Sequence, residues 1–268
     1  MPVPLDTTGK ASFDEIYTRP DPREYYARMS ELDYRIPELA KPQFQEQIRQ
    51  WRVAHDGADP TVLDIGCSYG VNAALLRLDV GIEELAASYD DPAADPATLI
   101  ARDRARIAAA DALPGVRFIG MDASEPALNY ARSAGLLHGT VHADLESTEP
   151  TDEQRELLAS ADLVVSTGCI GYVTEKTLAR VVSAHPQRRP WMAHFVLRMF
   201  SFAPIEAELA ALGYRTEQLS GAYAQRRFAS AEERAQVLNT LSANGIDTAG
   251  REDEGWLYAD LHVSRPLT

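Results

Sequence analysis

Cysteine is scarce in this sequence of 268 residues, which contains only Cys67 and Cys169. Two cysteines are too few for the disulfide framework of a small secreted domain. They are also too few for a tetrahedral zinc site unless histidines supply the other ligands. The sequence therefore predicts no structural metal.

Positive charge is also in short supply. The chain has 26 Lys and Arg residues against 40 Asp and Glu residues, a formal net charge of −14. Such a surface repels nucleic-acid phosphates and anionic lipid headgroups unless a local basic patch intervenes. Neither nucleic acid nor a membrane is therefore expected as a partner.

Long apolar runs are missing as well. No run approaches the roughly 20 residues that a membrane-spanning helix needs. The first ten residues, MPVPLDTTGK, contain no apolar core of signal-peptide length. We therefore expect a soluble, cytoplasmic protein.

The apolar residues that are present follow two periodicities. Short segments of buried-strand type alternate with helical segments, which predicts right-handed crossovers and a mostly parallel sheet within a single α/β domain. The predicted parallel strands are Val62–Ile65, Val116–Gly120, Gly139–His142, Ala161–Val165 and Trp191–Leu197. Residues 215–228 and 256–263 alternate like antiparallel strands, and they predict an antiparallel pair at one edge of the sheet.

The first sixty residues have helical periodicity instead. One helix is predicted from Asp21-Pro22 through Leu32, and a second from about Pro42 to Val53. We therefore divide the chain into an N-terminal helical cap or lid, residues 1–56, and a main unit, residues 57–268.

A loop of small residues follows the first predicted strand, in the stretch TVLDIGCSYGVNAALL from Thr61 to Leu76. Ligands of α/β sheets bind at the carboxyl ends of the strands, where glycines let the backbone approach a ligand closely. A dinucleotide fingerprint would need glycine where Ser68 and Val71 stand, and a P-loop would need a Gly-Lys-Ser/Thr ending. Neither motif is present, so the loop points to another ligand.

The segment from Val62 to Gly70 resembles the first motif of the class I S-adenosylmethionine (SAM) dependent methyltransferases, in which Asp/Glu-x-Gly-x-Gly-x-Gly follows an apolar strand. The stretch VRFIGMDASEPALNYAR is similar to the second strand of that family, GTVHADLE to the third, and ADLVVSTGCIGYV to the fourth strand and its loop. These motifs occur in the family's order over roughly Thr61 to Leu197. The resemblance implies SAM as cofactor and a Rossmann-like, mostly parallel seven-stranded sheet with an antiparallel edge strand.

The resemblance also implies roles for individual residues. It maps the ribose-binding acid onto Asp122 and the adenine-side acid onto Asp144. A carboxylate such as Asp122 can accept hydrogen bonds from both ribose hydroxyls, and Asp64 would anchor the glycine loop or reach the ligand's amine through water. The cofactor-binding candidates are Asp64, Gly66, Cys67, Ser68, Gly70, Asp122, Ala123, Asp144 and Cys169.

Two features depart from the family's pattern. Ser68 stands in place of the middle glycine, so the loop must accept a side chain there, or the hydroxyl must contact the ligand. The segment between the helix after Gly70 and Val116 is longer than the expected crossover of about 20 residues, and its composition predicts one or two extra helices. Those helices either close over the cofactor edge or form a solvated insertion without a catalytic role.

The reactive end of the site is predicted at STGCIGYVTEKT, after the fourth strand. Tyr172 is the candidate for contacting the substrate, as a hydroxyl donor or as a ring facing the sulfonium; the alternative is a tyrosine packed under the loop. Tyr26 represents a group of N-terminal tyrosines that would form an aromatic lid over a cation and exclude water, or that simply pack. The other members of that group are Tyr17, Tyr25 and Tyr34.

These residues leave three functions open. Methyl transfer is an in-line displacement that a protein can promote by alignment and desolvation, with a base only where the acceptor loses a proton. The first expectation is a SAM-dependent methyltransferase with a small-molecule acceptor. The alternative is an enzyme that cyclises SAM itself to azetidine-2-carboxylate or aminocyclopropane carboxylate and releases methylthioadenosine. A SAM-binding module without catalysis is the third possibility.

Overall fold

The centre of the molecule is a seven-stranded sheet. The computed structural model describes residues 5, 6, 8–184 and 188–267. The strands are β1 (Thr61–Ile65), β2 (Arg117–Asp122), β3 (Gly139–His142), β4 (Leu163–Thr167), β5 (Trp191–Leu197), β6 (Tyr214–Arg227) and β7 (Trp256–Pro266). They lie in the order β3-β2-β1-β4-β5-β7-β6.

One strand of the sheet, β7, runs in the opposite direction to the others. The strands β1 to β5 pair in parallel, whereas β7 pairs antiparallel with both β5 and β6. The antiparallel strand therefore lies one place in from the edge, and β6 is outermost. The predicted Rossmann-like, mostly parallel seven-stranded sheet with antiparallel pairing at one edge is confirmed.

Helices cover both faces of the sheet. They are α1 (Asp14–Tyr17), α2 (Arg23–Glu31), α3 (Ile36–Ala54), α4 (Val71–Leu78), α5 (Ile82–Ala87), α6 (Pro96–Ala109), α7 (Glu125–Ser133), α8 (Asp152–Ala159), α9 (Glu175–Ser183), α10 (Ala203–Ala211) and α11 (Ala231–Ala243), with a 3₁₀ turn at Glu252–Glu254. Side chains of α3, α4 and α11 pack on one face, and those of α8, α9 and α10 pack on the other. All five residues of β1 are buried, as expected for a central strand covered on both sides.

The N-terminal region has two structural parts. Helix α3 is longer than predicted and belongs to the main core, because Phe44 and Ile48 pack with residues of β4 and β5. The segment before it, which includes α1 and α2, packs in a separate cluster with α4 and α7. Within the predicted N-terminal unit, residues 1–56, α3 therefore joins the main core, while the described residues ahead of it form the separate cluster, and their role as a cap or lid stays a prediction.

The long insertion between α4 and β2 contains two helices, α5 and α6, within the predicted number. The Tyr89 ring, after α5, stacks on Tyr26 of α2 with centroids 4.8 Å apart. Asp103 of α6 is buried and accepts hydrogen bonds from the hydroxyls of Tyr89 and Tyr130, each 2.7 Å long. The insertion therefore joins the N-terminal cluster to α7.

None of the helices in the described part of the chain is both long enough and apolar enough to cross a membrane.

Candidate functional site

The loop from Gly66 to Gly70 leaves the carboxyl end of β1 with three left-handed residues. Their φ angles are +69° at Gly66, +51° at Ser68 and +77° at Gly70. Gly66 is exposed, and a Cβ there would lie 2.8 Å from the Cβ of Cys169. Only glycine fits that position. Any other residue would have to adopt an unfavourable left-handed backbone, and its Cβ would clash with the neighbouring loop.

Ser68 resolves the first departure from the family's pattern. Its left-handed backbone is one that glycine would adopt freely and that costs a residue with a Cβ about 1–2 kcal/mol. The conformation directs the Ser68 amide toward the Asp122 carboxylate, at 2.8 Å. The Ser68 hydroxyl is buried and has no hydrogen-bond partner among the described residues, so it is available to a ligand.

Asp64, at the end of β1, is a buried acid. Its exposed fraction is 1%. Asn72 of α4 donates to both carboxylate oxygens, at 3.0 and 3.2 Å, and also to the Thr167 hydroxyl at 3.2 Å. Burial, with a smaller contribution from Asp122, raises the pKa of Asp64 to about 7 despite the Asn72 hydrogen bonds. No described Lys or Arg forms an ion pair with this carboxyl group, so a cationic ligand would relieve its desolvation.

Asp122 ends β2 beside the glycine loop and is half-buried. Its two oxygens accept from the backbone amides of Ser68 and Ser124, both at 2.8 Å. Burial raises the pKa of Asp122 in spite of these bonds. Each oxygen keeps a lone pair, so the carboxylate can still accept from two hydroxyls. Ala123, the next residue, is exposed, and its carbonyl oxygen lies 3.1 Å from Nε2 of His142.

Asp144 lies in a different setting from the other two acids. It is exposed beyond the end of β3, where it accepts from the Glu146 amide at 3.0 Å and the Ser147 hydroxyl at 2.6 Å. No hydrogen bond between described residues joins Asp144 to Asp122 or to the glycine loop. Asp144 therefore serves a local turn, and its adenine-side role stays a prediction.

The loop after β4 faces the glycine loop. Cys169 donates its thiol to the Ile65 carbonyl at 3.3 Å, and burial raises the pKa of the Cys169 thiol to about 12. Cys67 is also buried, and burial raises its pKa. Both cysteines are free thiols that fill space near the site.

Tyr172 is exposed by 44% and does not pack under the loop. Its hydroxyl donates to the Asp6 carboxylate, and the Lys10 ammonium lies 4.9 Å from its ring centroid. The predicted role of this side chain, as a hydroxyl donor or a ring facing the sulfonium, stays a prediction.

The N-terminal segment crosses the carboxyl ends of three strands. The Tyr69 hydroxyl, in the loop after β1, donates to the Ile16 carbonyl at 2.8 Å. The Ser124 hydroxyl, in the loop after β2, donates to the Tyr17 carbonyl. The Lys10 ammonium donates to the Gly168 carbonyl, after β4, at 3.4 Å. The segment therefore lies over the edge of the sheet where the glycine loop and Asp122 are located.

Aromatic rings are concentrated in the N-terminal segment, and Tyr26 packs on the side of the insertion. Tyr26 is buried between Tyr25 and Tyr89, on the side of the insertion. Tyr34 is the tyrosine nearest the end of β4: burial raises its pKa to about 12, although hydrogen bonds with Tyr25 and Thr167 act in the opposite direction. Tyr26 therefore packs between Tyr25 and the insertion, and Tyr17 packs against Tyr25. The aromatic-lid role of these tyrosines stays a prediction.

Reasoning from the sequence missed several polar residues of this region. Asn72, in an apolar helix eight residues after Asp64, is a signal that was available in the sequence. Arg226 and Glu233 were not identifiable, because they meet only in the folded chain, in a buried ion pair of 2.6 Å. Glu233 also accepts from the Ala11 amide at 2.7 Å and so attaches the N-terminal segment to α11.

Metal ligands are not grouped in this site or elsewhere in the described ranges, where no cluster of three or more His, Cys, Asp or Glu side chains is arranged to hold an ion.

Comparisons with known proteins add little beyond this geometry. No protein-family model and no curated protein matches the chain. Among solved structures, it is similar to magnesium protoporphyrin IX methyltransferase from Synechocystis PCC 6803, at 14% identity over 83% of this chain and 78% of that chain, with a TM-score of 0.40. It is similar to precorrin-6y C5,15-methyltransferase from Geobacter metallireducens, at 12% identity over 98% and 95%, with a TM-score of 0.40.

A TehB-like SAM-dependent methyltransferase from Corynebacterium glutamicum is similar at 15% identity over 79% of this chain and 84% of that chain, with a TM-score of 0.39. Likenesses of this size establish no function. The architecture is identified by the sheet itself, whose seven strands are mostly parallel with antiparallel pairing at one edge, as the resemblance to class I methyltransferases implied.

Proposed function

We propose that this protein binds SAM and transfers its methyl group to a small-molecule acceptor. One observation carries the proposal: two carboxyl groups with raised pKa values, Asp64 and Asp122, flank the glycine loop at adjacent strand ends without a lysine or arginine partner in the described chain. A site of this kind suits a ligand that carries both a positive charge and hydroxyl groups.

The residues present fit SAM. Asp64 would face its cationic methionine end, and Asp122 would accept from the two ribose hydroxyls with its remaining lone pairs. Ser68 offers a buried hydroxyl without a partner of its own in the described structure. Gly66 leaves an exposed backbone that a ligand can approach. Asp144 is proposed for the adenine amino group on the strength of the resemblance alone.

When bound, SAM supplies a methyl group on a sulfonium that needs no further activation. The contribution of this chain is then alignment and the exclusion of water. The Gly168 to Tyr172 loop lies against Gly66 and forms the wall beside the proposed reacting centre. The N-terminal segment covers the same edge of the sheet, held by its bonds to Tyr69 and Ser124. Tyr172 is proposed to contact the acceptor.

Cyclisation of SAM is the second candidate, and the aromatic cover favours it. Tyr17 packs against Tyr25, and Tyr34 is hydrogen-bonded with Tyr25 and with Thr167 at the end of β4. A closed aromatic site can hold a sulfonium while its own side chain closes into azetidine-2-carboxylate or aminocyclopropane carboxylate. In that reaction the γ-carbon would be attacked by the amine nitrogen to give azetidine-2-carboxylate, or by the deprotonated α-carbon to give aminocyclopropane carboxylate. The bond from the γ-carbon to sulfur would break, methylthioadenosine would leave with its electron pair, and one proton, from the nitrogen or the α-carbon, would be released.

Calorimetric titration with S-adenosylhomocysteine tests the cofactor site. We expect Asp122→Ala to weaken binding at least about tenfold, since hydrogen bonds to a charged acceptor contribute about 1.5–3 kcal/mol. Asp144→Ala serves as the comparison at an exposed strand end and reports on the adenine-side assignment. Unchanged affinity in Asp122→Ala would contradict the proposal that Asp122 binds the ribose hydroxyls.

Mass spectrometry separates the two reactions. The purified protein is incubated with SAM alone and then with SAM and a metabolite extract, each against a control without enzyme. Methylthioadenosine and a small-ring amino acid from SAM alone would establish cyclisation. S-adenosylhomocysteine formed only with the extract would establish methyl transfer. If SAM binds but stays intact under both conditions, the protein would be a SAM-binding module without catalysis.

A further inference from the structure

Lys10 is a cation that the proposed cofactor site does not use. It lies in the N-terminal segment, on the side of the Gly168 to Tyr172 loop, and its ammonium donates to the Gly168 carbonyl at 3.4 Å. The Tyr172 ring lies 4.9 Å away and fixes the direction of the side chain. Burial, together with Arg226, lowers the pKa of Lys10 to about 8.

No described carboxylate forms an ion pair with Lys10. The Asp6 carboxylate is engaged by Thr8 and Tyr172, and the Glu233 carboxylate is engaged by Arg226 at 2.6 and 2.9 Å. Arg226 is therefore paired directly with an acid, whereas Lys10 has no described carboxylate within ion-pair distance, and Asp6 and Glu233 act on it only over a longer range. In a chain with a net charge of −14, a lysine left without an acid at the covered edge of the sheet is a candidate binding site for an anion.

The hydrogen-bonding capacity of Lys10 points the same way. An ammonium group has three N–H donors, and the Gly168 carbonyl takes one of them. Up to two donors and a full charge remain for a ligand. A single ammonium matches a monoanion such as a carboxylate, which would also raise the lowered pKa of the lysine.

We propose that the acceptor is a carboxylate-bearing small molecule and that Lys10 binds its carboxylate beside Tyr172. This proposal rests on the proposed methyl transfer and deepens it by naming the class of acceptor. Cys169 packs against Gly66 of the glycine loop, and the carbonyl of its neighbour Gly168 accepts from Lys10. In the proposed complex, Asp64 and Asp122 contact the cofactor and Lys10 contacts the acceptor. The cofactor and the acceptor are therefore recognised by groups of opposite charge.

The lysine content of the chain allows a direct test. Its three lysines are Lys10, Lys41 and Lys176, so the protein labelled with ¹³C at lysine Cε shows three resonances. Lys41 pairs with Asp79 at 2.7 Å and Lys176 is exposed, so both act as internal controls. The probes are phenylacetate and phenylacetamide, which differ in charge and little in shape, each added to the protein saturated with S-adenosylhomocysteine.

We expect phenylacetate to shift the Lys10 resonance saturably and phenylacetamide to leave it unchanged. Lys10→Met should weaken phenylacetate binding at least about tenfold and alter S-adenosylhomocysteine affinity by less than about twofold. Lys176→Met should change neither. Absence of a Lys10 response to phenylacetate would overturn the proposal.

A separate titration distinguishes the carboxylate of the cofactor from that of an acceptor. A Lys10 shift with S-adenosylhomocysteine but not with methylthioadenosine, which lacks the amino acid end, would show that the cofactor's own carboxylate occupies Lys10 and would overturn the proposal. Failure of the proposed cofactor would be recognised independently, because neither S-adenosylhomocysteine nor SAM would then bind in calorimetry. The phenylacetate titration without cofactor would still decide whether Lys10 binds carboxylates.

Discussion

Asp64→Asn should remove a pH-dependent loss of stability from the unliganded protein. The Asp64 carboxyl has a pKa of about 7 in the fold against an ordinary value of 3.8. The folded protein therefore holds this proton more tightly than the unfolded chain does. The stability that comes from this tighter proton binding is fully present below about pH 4, and it is lost as the pH rises toward 7.

The size of the effect follows from the pKa difference. Each pH unit between the unfolded and folded pKa values changes the free energy of unfolding by about 1.4 kcal/mol. From pH 5 to pH 7 the wild-type protein should lose about 2 kcal/mol relative to Asp64→Asn, because the slope falls off as the pH approaches the folded pKa. The substitution is compatible with the local structure, because the Asn72 Oδ1 atom is buried without a described partner and can accept from the new amide.

Urea unfolding of both proteins between pH 5 and pH 8 measures this difference. Asp144→Asn is the matched control, because Asp144 is exposed and its hydrogen bonds to Ser147 and Glu146 lower its pKa. Its stability curve should run parallel to that of the wild type over this range. Parallel curves for wild type and Asp64→Asn would refute the reasoning, since they would mean that Asp64 is ionised in the fold throughout.

Two further substitutions test the packing described above. Gly66→Ala places a methyl group 2.8 Å from the Cys169 Cβ at a φ of +69°, whereas Gly57→Ala, at a φ of +83° with no atom within 4 Å, meets only the backbone strain. Thermal unfolding should show a loss of about 1 kcal/mol for Gly57→Ala and about 2–4 kcal/mol for Gly66→Ala, and equal losses would contradict the close approach of the two loops. Asp103→Ala leaves the Tyr89 and Tyr130 hydroxyls without their acceptor and should lower the free energy of unfolding by about 2–4 kcal/mol. Asp90→Ala, at an exposed aspartate of the same insertion, is the control and should change the free energy of unfolding by no more than about 0.5 kcal/mol.

The sequence alone determined the architecture. The apolar run Trp191–Leu197 coincides with β5, and Val62–Ile65 covers all but the first residue of β1, because strands buried on both faces are marked by composition over a few residues. The glycine loop and Ser124, which caps α7, were also predictable, since left-handed turns and helix starts depend on local residue types. The length of α3 was underestimated because Pro42 lies inside the helix.

Only the tertiary structure decided which side chains meet. The pairing of Asp64 with Asn72, the ion pair of Arg226 with Glu233, and the position of Lys10 over Tyr172 join residues whose relation depends on packing. The N-terminal tyrosines show the same limit: consecutive helical residues such as Tyr25 and Tyr26 point about 100° apart, and only the folded chain shows that Tyr26 stacks on Tyr89 of the insertion. Local periodicity sets each element, whereas the approach of distant segments sets the charge and hydrogen bonding of the site.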